Sequence, residues 1–319
     1  MHIPDNYLSP ATCGVMITAM APIWTVSVLK VKAQIKTKKE TVPLIGVAAA
    51  LAFLIMMFNL PIPGGTTAHA VGGALLAVLL GPWAACLALS LTLLLQALLF
   101  GDGGVLAFGA NAFNMAVIMP FVGYACFQIG QRLHHEKIGL AVGAYLGINL
   151  AALTAGIELG LQPLLAHTST GVALYCPYGL KITIPAMLTA HLLIAGWVEV
   201  LFSVFVYQFI KKAAPTTLYQ APATAKSFKV FYGLLIGLIV LSPLGLLASG
   251  TAWGEWNNHE LAQRLHTAAP AGMTHGFHFN ALFSDYAIHG LSLPLGYILS
   301  AVTAVLIFAV AMRVLQHEH

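Results

Sequence analysis

Nine apolar stretches follow one another along the chain, near residues 8–29, 42–59, 69–81, 83–100, 104–130, 138–165, 184–210, 228–248 and 290–312. Crossing a hydrocarbon layer about 30 Å thick takes roughly twenty predominantly apolar residues in a helix. With 59% hydrophobic and 8% charged residues, the composition agrees that lipid is the solvent. The fold class expected is all-α: a polytopic transmembrane bundle with a seven-helix core and two further transmembrane helices. The third stretch is short and follows a Pro-Gly-Gly break, so a partial or strongly inclined helix is expected there.

Basic residues set the orientation. Lys30, Lys32, Lys36, Lys38 and Lys39 follow the first stretch, Arg132 and Lys137 the fifth, Lys211, Lys212, Lys226 and Lys229 the seventh, and Arg313 the ninth. With the N-terminus outside, all of these are cytoplasmic and only Lys181 and Arg264 are not, as the positive-inside rule requires. The reading is a multi-pass protein of a prokaryotic plasma membrane, N-terminus outside and C-terminus cytoplasmic. The formal charge of +4 lies on loops where topology and lipid headgroups account for it, so no nucleic-acid partner is expected. The start lacks a basic n-region, carries Asp5 and leads into too long an apolar run for a removable signal peptide. Cys13, Cys86, Cys126 and Cys176 form no CxxC pair and are given no role.

Lys211–Phe228 is rich in Ala, Pro and Thr and reads as a cytoplasmic linker. The division expected is a metal-binding core over 1–210, a linker over 211–227 and a C-terminal unit over 228–319, with two spans enclosing an outer loop.

Three features carry chemistry. The chain opens Met1-His2-Ile3-Pro4-Asp5-Asn6-Tyr7. A histidine at the second position lets the α-amine, the deprotonated amide and the imidazole close fused chelate rings on one ion. Three coplanar nitrogens suit the tetragonal geometry of Ni(II) or Cu(II). The second feature is Pro61-Ile62-Pro63-Gly64-Gly65-Thr66-Thr67-Ala68-His69. Irregular backbone at membrane depth is tolerated where protein buries it or where it lines a cavity. His69 is thus either an interfacial polar residue or a functional one. The third feature is Gln96–Gly104, whose Gly-Asp-Gly-Gly is sufficiently explained as a turn, followed by Asn111 and Asn114. Three residues apart, these amides are expected on one helix face, either bonded to neighbouring helices or orienting a ligand. His191 and Glu199 fall on about one face of the seventh span, and Glu158 lies in the sixth. Each is a candidate for contacts behind the ligands or between subunits.

MHIPDNYLSP, PIPGGTTAHAVGG, QALLFGDGG and GANAFNMA together resemble the CbiM/NikM family, the substrate-binding components of energy-coupling-factor importers for cobalt and nickel. The resemblance covers residues 1–210. The remainder, with Leu241–Ala248 and Gly250–Trp256, resembles the NikN or PDGLE type of unit fused behind it. The family commonly has Asp-Gly where this chain has Asp5-Asn6. The resemblance implies a planar site built from the Met1 amine, the His2 amide and imidazole, and His69, with Ni(II) or Co(II) as transported substrate and no resident cofactor. It also implies a membrane coupling subunit of the CbiQ/NikQ type and ATPase subunits of the CbiO/NikO type. The C-terminal unit is not expected to help assemble the site.

The chain has no GxxxxGK[ST] P-loop, so ATP hydrolysis falls to those separate subunits and the chain is not expected to be an enzyme. An intramembrane metalloenzyme is the alternative from another class, but it needs an open coordination position and a base, and no HExxH is present. A proton-coupled secondary transporter is a further alternative, though only Glu158 and Glu199 lie well inside spans. His134 and His135 sit in a basic loop and are expected to be solvated. His259, His266, His275, His278 and His289 fall in the outer loop, either as plain polar residues or as weak metal collectors.

Overall fold

The structure is a computed structural model that describes residues 1–63, 65–219, 228–248 and 250–317. Each of the nine apolar stretches forms a helix, and the chain is a polytopic helical membrane protein. Among the described residues, seven helices are long and apolar enough to cross a membrane. They are α1 (Pro10–Thr37), α4 (Pro82–Phe100), α5 (Phe108–Arg132), α6 (Glu136–Leu165), α7 (Leu180–Ala213), α8 (Lys229–Leu247) and α10 (Leu293–His317). The other two fall short. Helix α2 (Thr41–Met56) has 16 residues and α3 (Gly73–Leu80) has 8, about 24 and 12 Å at the helical rise. The break before α3 is the cause: β1 (Leu60–Ile62) and β2 (Thr66–Ala68) form a small antiparallel hairpin there. A helix of 8 residues, α9 (Asn258–Leu265), lies in the long loop before α10 and carries an Asn257/Glu260 capping box.

Small residues bring helices α5 and α6 into close contact. A Cβ at Gly130 would stand 2.7 Å from Gly139 Cα, and one at Gly143 would stand 2.7 Å from the Gly123 carbonyl oxygen, so only glycine permits this approach. Helix α10 packs on α2 in the same manner, with Met312 filling the space beside Gly46. The C-terminal unit is therefore docked on the core and not merely tethered to it.

The expected linker begins inside a helix: Lys211–Ala213 form the last turn of α7. Residues 220–227 of the linker lie outside the described residues. At that end of the bundle, Lys38 Nζ donates to the Tyr219 carbonyl and Lys211 pairs with Glu136. The basic loops therefore share one end. The N-terminus, the 101–104 turn, the 166–179 loop and the 250–290 loop gather at the other.

Candidate metal centre

Residues 1–9 precede the first helix and are held by hydrogen bonds at nearly every step. Ile3 donates its N–H to Asn111 Oδ1 at 2.8 Å, and its carbonyl accepts from Asn111 Nδ2 at 3.0 Å and Gly104 N at 2.8 Å. The Asp5 carboxylate accepts from Val105 N and Leu106 N at 3.0 and 2.8 Å. Asn6 adopts φ +66°, a left-handed conformation open to glycine and tolerated by asparagine. That is the physical reason the position accepts this departure from Asp-Gly. The Tyr7 carbonyl accepts from Cys176 N at 3.0 Å, and Ser9 N donates to Gln162 Oε1 at 2.9 Å. Ser9 then caps α1 by accepting from Thr12 N, with Pro10 opening the helix. An N-terminal segment would ordinarily fray; this one is fixed.

The segment delivers Met1 and His2 into the bundle, where they are 3% and 4% exposed, beside His69 at 6%. His69 Nδ1 lies 3.0 Å from the Ala70 carbonyl. A carbonyl only accepts, so Nδ1 carries the proton and Nε2 keeps its lone pair. That Nε2 faces His2 Nδ1 at 3.3 Å. Nitrogen ligands sit about 2.0–2.1 Å from a metal of this class, so two on one ion stand no more than about 4 Å apart. Burial pushes the His69 imidazolium well below the usual histidine range, and the Met1 ammonium and His2 ring push the same way. His69 is thus a neutral, ligand-ready imidazole. Among the described residues no three His, Cys, Asp or Glu side chains cluster as a metal site.

Two acidic groups attend these nitrogens, neither singled out by the sequence. Asp102 Oδ1 lies 3.2 Å from His2 Nδ1. The Gly-Asp-Gly-Gly segment is therefore more than a turn. A Cβ at Gly104 would stand 2.4 Å from Asp5 N, and one at Gly103 would stand 3.2 Å from His2 Cδ2, so its glycines make room for the N-terminal segment. Glu255 Oε1, from the C-terminal unit, lies 3.5 Å from the Met1 nitrogen. The outer loop thus reaches the site with a carboxylate, outside the nitrogen set that the resemblance implies.

The remaining candidates divide. Asn111 grips Ile3. Asn114 does not join it: its Nδ2 donates to Glu158 Oε2 at 2.7 Å and its Oδ1 accepts from Thr154 at 2.6 Å. Residues Ala112–Ile118 form a π-helical stretch, which changes the angle per residue and separates the two amides. Glu199 is buried and accepts from Val71 N at 2.7 Å and Gly72 N at 3.0 Å. It holds the turn between His69 and α3. His191 opens a π-helical turn and donates from Nδ1 to the Met187 carbonyl at 2.7 Å, leaving Nε2 buried without a partner among the described residues. Met1 and His69 both lie within its electrostatic range. His134 and His135 are exposed, as are all five outer-loop histidines.

Residues 2–217 match the CbiM family, described as the cobalt uptake substrate-specific transmembrane region. The chain belongs to this family. Behind the CbiM region, residues 227–316 match the PDGLE domain. The probable fused nickel transport protein LarMN of Lactiplantibacillus plantarum is 74% identical over 323 residues, covering 100% of this chain and 98% of the relative. The fused nickel transport protein NikMN of Rhodobacter capsulatus is 43% identical, covering 96% and 94%. Among solved structures, a crystal structure of a truncated transition metal transporter superposes with a TM-score of 0.63 at 55% identity. It covers 66% of this CbiM-family chain and 99% of its own.

Proposed function

We propose that this chain is the substrate-capture component of an ATP-driven energy-coupling-factor importer for Ni(II) or Co(II). The ion is held in one plane by the Met1 amine, the His2 amide nitrogen, His2 Nδ1 and His69 Nε2. One observation carries this reading. Nδ1 is the His2 ring nitrogen that can close a six-membered chelate ring with its own amide, and it is the atom facing the His69 lone pair at 3.3 Å. Asn111 and Glu199 position the segments that carry the ligands, and a role behind them for His191 rests on its unpartnered Nε2.

Nickel is the preferred cargo. Four planar nitrogens favour Ni(II) over Co(II), and relatives that share both regions are named nickel transport proteins. A family described as substrate-specific and a chain without a P-loop support separate partners. These are a coupling subunit of the CbiQ/NikQ type and ATPases of the CbiO/NikO type, met within the lipid bilayer. In this reading residues 1–210 capture the ion on the outer face and 211–227 cross the cytoplasmic face. Residues 228–319 cover the site from outside.

The test is an N-terminal extension combined with spectroscopy of the purified protein. Added residues convert the amine into an amide and should abolish tight Ni(II) binding, while a tag after His319 should be tolerated. Ni(II) in the untagged protein should be low-spin and diamagnetic with a visible d–d band. Unimpaired binding by the extended protein, or a paramagnetic octahedral or tetrahedral spectrum, refutes the planar site.

A further inference from the structure

We propose that Asn6 and the outer loop of the C-terminal unit form a latch that closes this unit over the metal site and slows exchange of the ion. The inference rests on the planar-site reading above. Asn6 Nδ2 donates to the Phe277 carbonyl at 2.8 Å, and Phe277 N donates to Asn6 Oδ1 at 2.9 Å. The side chain thus pairs with loop backbone as a strand would. The neighbouring glycine is shaped to it: a Cβ at Gly276 would stand 2.2 Å from Asn6 Oδ1. A glycine in place of Asn6 would keep the left-handed backbone and make neither bond, so the latch is a property of the side chain this chain carries.

What the latch fastens lies over the ligands. Tyr7 Oη donates to the Trp256 carbonyl at 2.9 Å, one residue from Glu255, whose carboxylate sits 3.5 Å from the Met1 nitrogen. Arg264 stacks on the Trp256 ring with its guanidinium 4.3 Å from the centroid, fixing α9 to the same point. Tyr286 donates to Asp102, the carboxylate beside His2. A cavity of about 230 Å³ reaches His69, and its outer wall includes Ala252, Glu255, Asp285 and Tyr286, all from the C-terminal unit. Beside it a cavity of about 320 Å³, lined by Asn6, Tyr7, Glu255, Trp256 and Phe277, runs between the N-terminal segment and the loop. Those are the two pieces that Asn6 joins.

The experiment measures Ni(II) release from the full-length purified protein into excess chelator, with the d–d spectrum recorded beforehand. Asn6→Gly should fold, since glycine readily takes this conformation. Loss of both hydrogen bonds predicts release roughly tenfold faster with an unchanged spectrum. Asn6→Asp keeps the acceptor for Phe277 N–H and loses the donor, so its rate should fall between. Gly276→Ala should resemble Asn6→Gly by forcing the pair apart. Hydrogen exchange across 272–280 should quicken in Asn6→Gly with or without Ni(II), a change independent of metal affinity. Release from Asn6→Gly at the wild-type rate overturns the latch while leaving the planar site standing. Failure of the wild-type protein to retain Ni(II) overturns both.

Discussion

Asn111 holds Ile3 by both sides of its backbone, accepting the N–H at 2.8 Å and donating to the carbonyl at 3.0 Å. A helix in the bundle thereby fixes the residue next to His2, and the chelating end of the chain is set in place before an ion arrives. Asn111→Leu removes both bonds without changing the charge. Breaking buried hydrogen bonds of this kind costs about 1–3 kcal/mol, so Ni(II) affinity should fall roughly ten- to a hundredfold. Competition titration against a chelator of known strength measures it. An unchanged Kd would mean that Ile3 needs no such support.

Substitution of the proposed ligands should be more severe than any change to their supports. His2→Ala removes an imidazole and one chelate ring, and His69→Ala removes the fourth nitrogen. Both should lose tight binding, whereas His134→Ala and His135→Ala, exposed in a loop away from the site, should bind as wild type does. Equal losses in all four proteins would instead indicate general destabilisation.

Much of this arrangement is legible in the sequence because membranes impose a length rule. Apolar runs had to be helices, and the Pro-Gly stretch before His69 had to break them. The two short helices also follow from that break, since a hairpin takes up residues a full span would need. Other features were hidden for physical reasons. Asp102 lies in a Gly-Asp-Gly-Gly segment that a turn explains completely, so nothing local announces its neighbour His2, a hundred positions earlier. Asn111 and Asn114 were expected on one face because a regular helix puts them there; the π-helical stretch from Ala112 breaks the periodicity on which that expectation depends. Glu255 could be placed against Met1 only by the docking of the C-terminal unit, which no pattern within either segment encodes.

Proton release on binding should report which groups serve as ligands. Metal ligation requires deprotonated donors. The Met1 ammonium and the His2 amide must each give up a proton, while His69 arrives neutral because burial holds its pKa well below the usual range. His69 therefore adds no proton near neutral pH. At least one proton, that of the amide, should leave per Ni(II), read from calorimetry in buffers of different ionisation enthalpy, and affinity should fall as pH is lowered. Release of no proton would show that the backbone amide is not a ligand.

Glu199 offers the sharpest separation of support from stability. Its carboxylate accepts from Val71 N and Gly72 N, where the start of α3 adds favourable charge. Those amides are two and three residues beyond His69, so the carboxylate sets the turn that aims the imidazole. Glu199→Gln keeps the size, removes the charge and turns an amide donor toward an N–H. Hydrogen bonds to charged groups contribute about 1.5–3 kcal/mol, and the variant should lose roughly tenfold or more in Ni(II) affinity along with some thermal stability. The double mutant with His69→Ala decides the interpretation. If Glu199 acts through His69, the two losses in Ni(II) affinity overlap and the second substitution adds little to the first. Fully additive losses would mean that Glu199 holds the bundle together without directing His69.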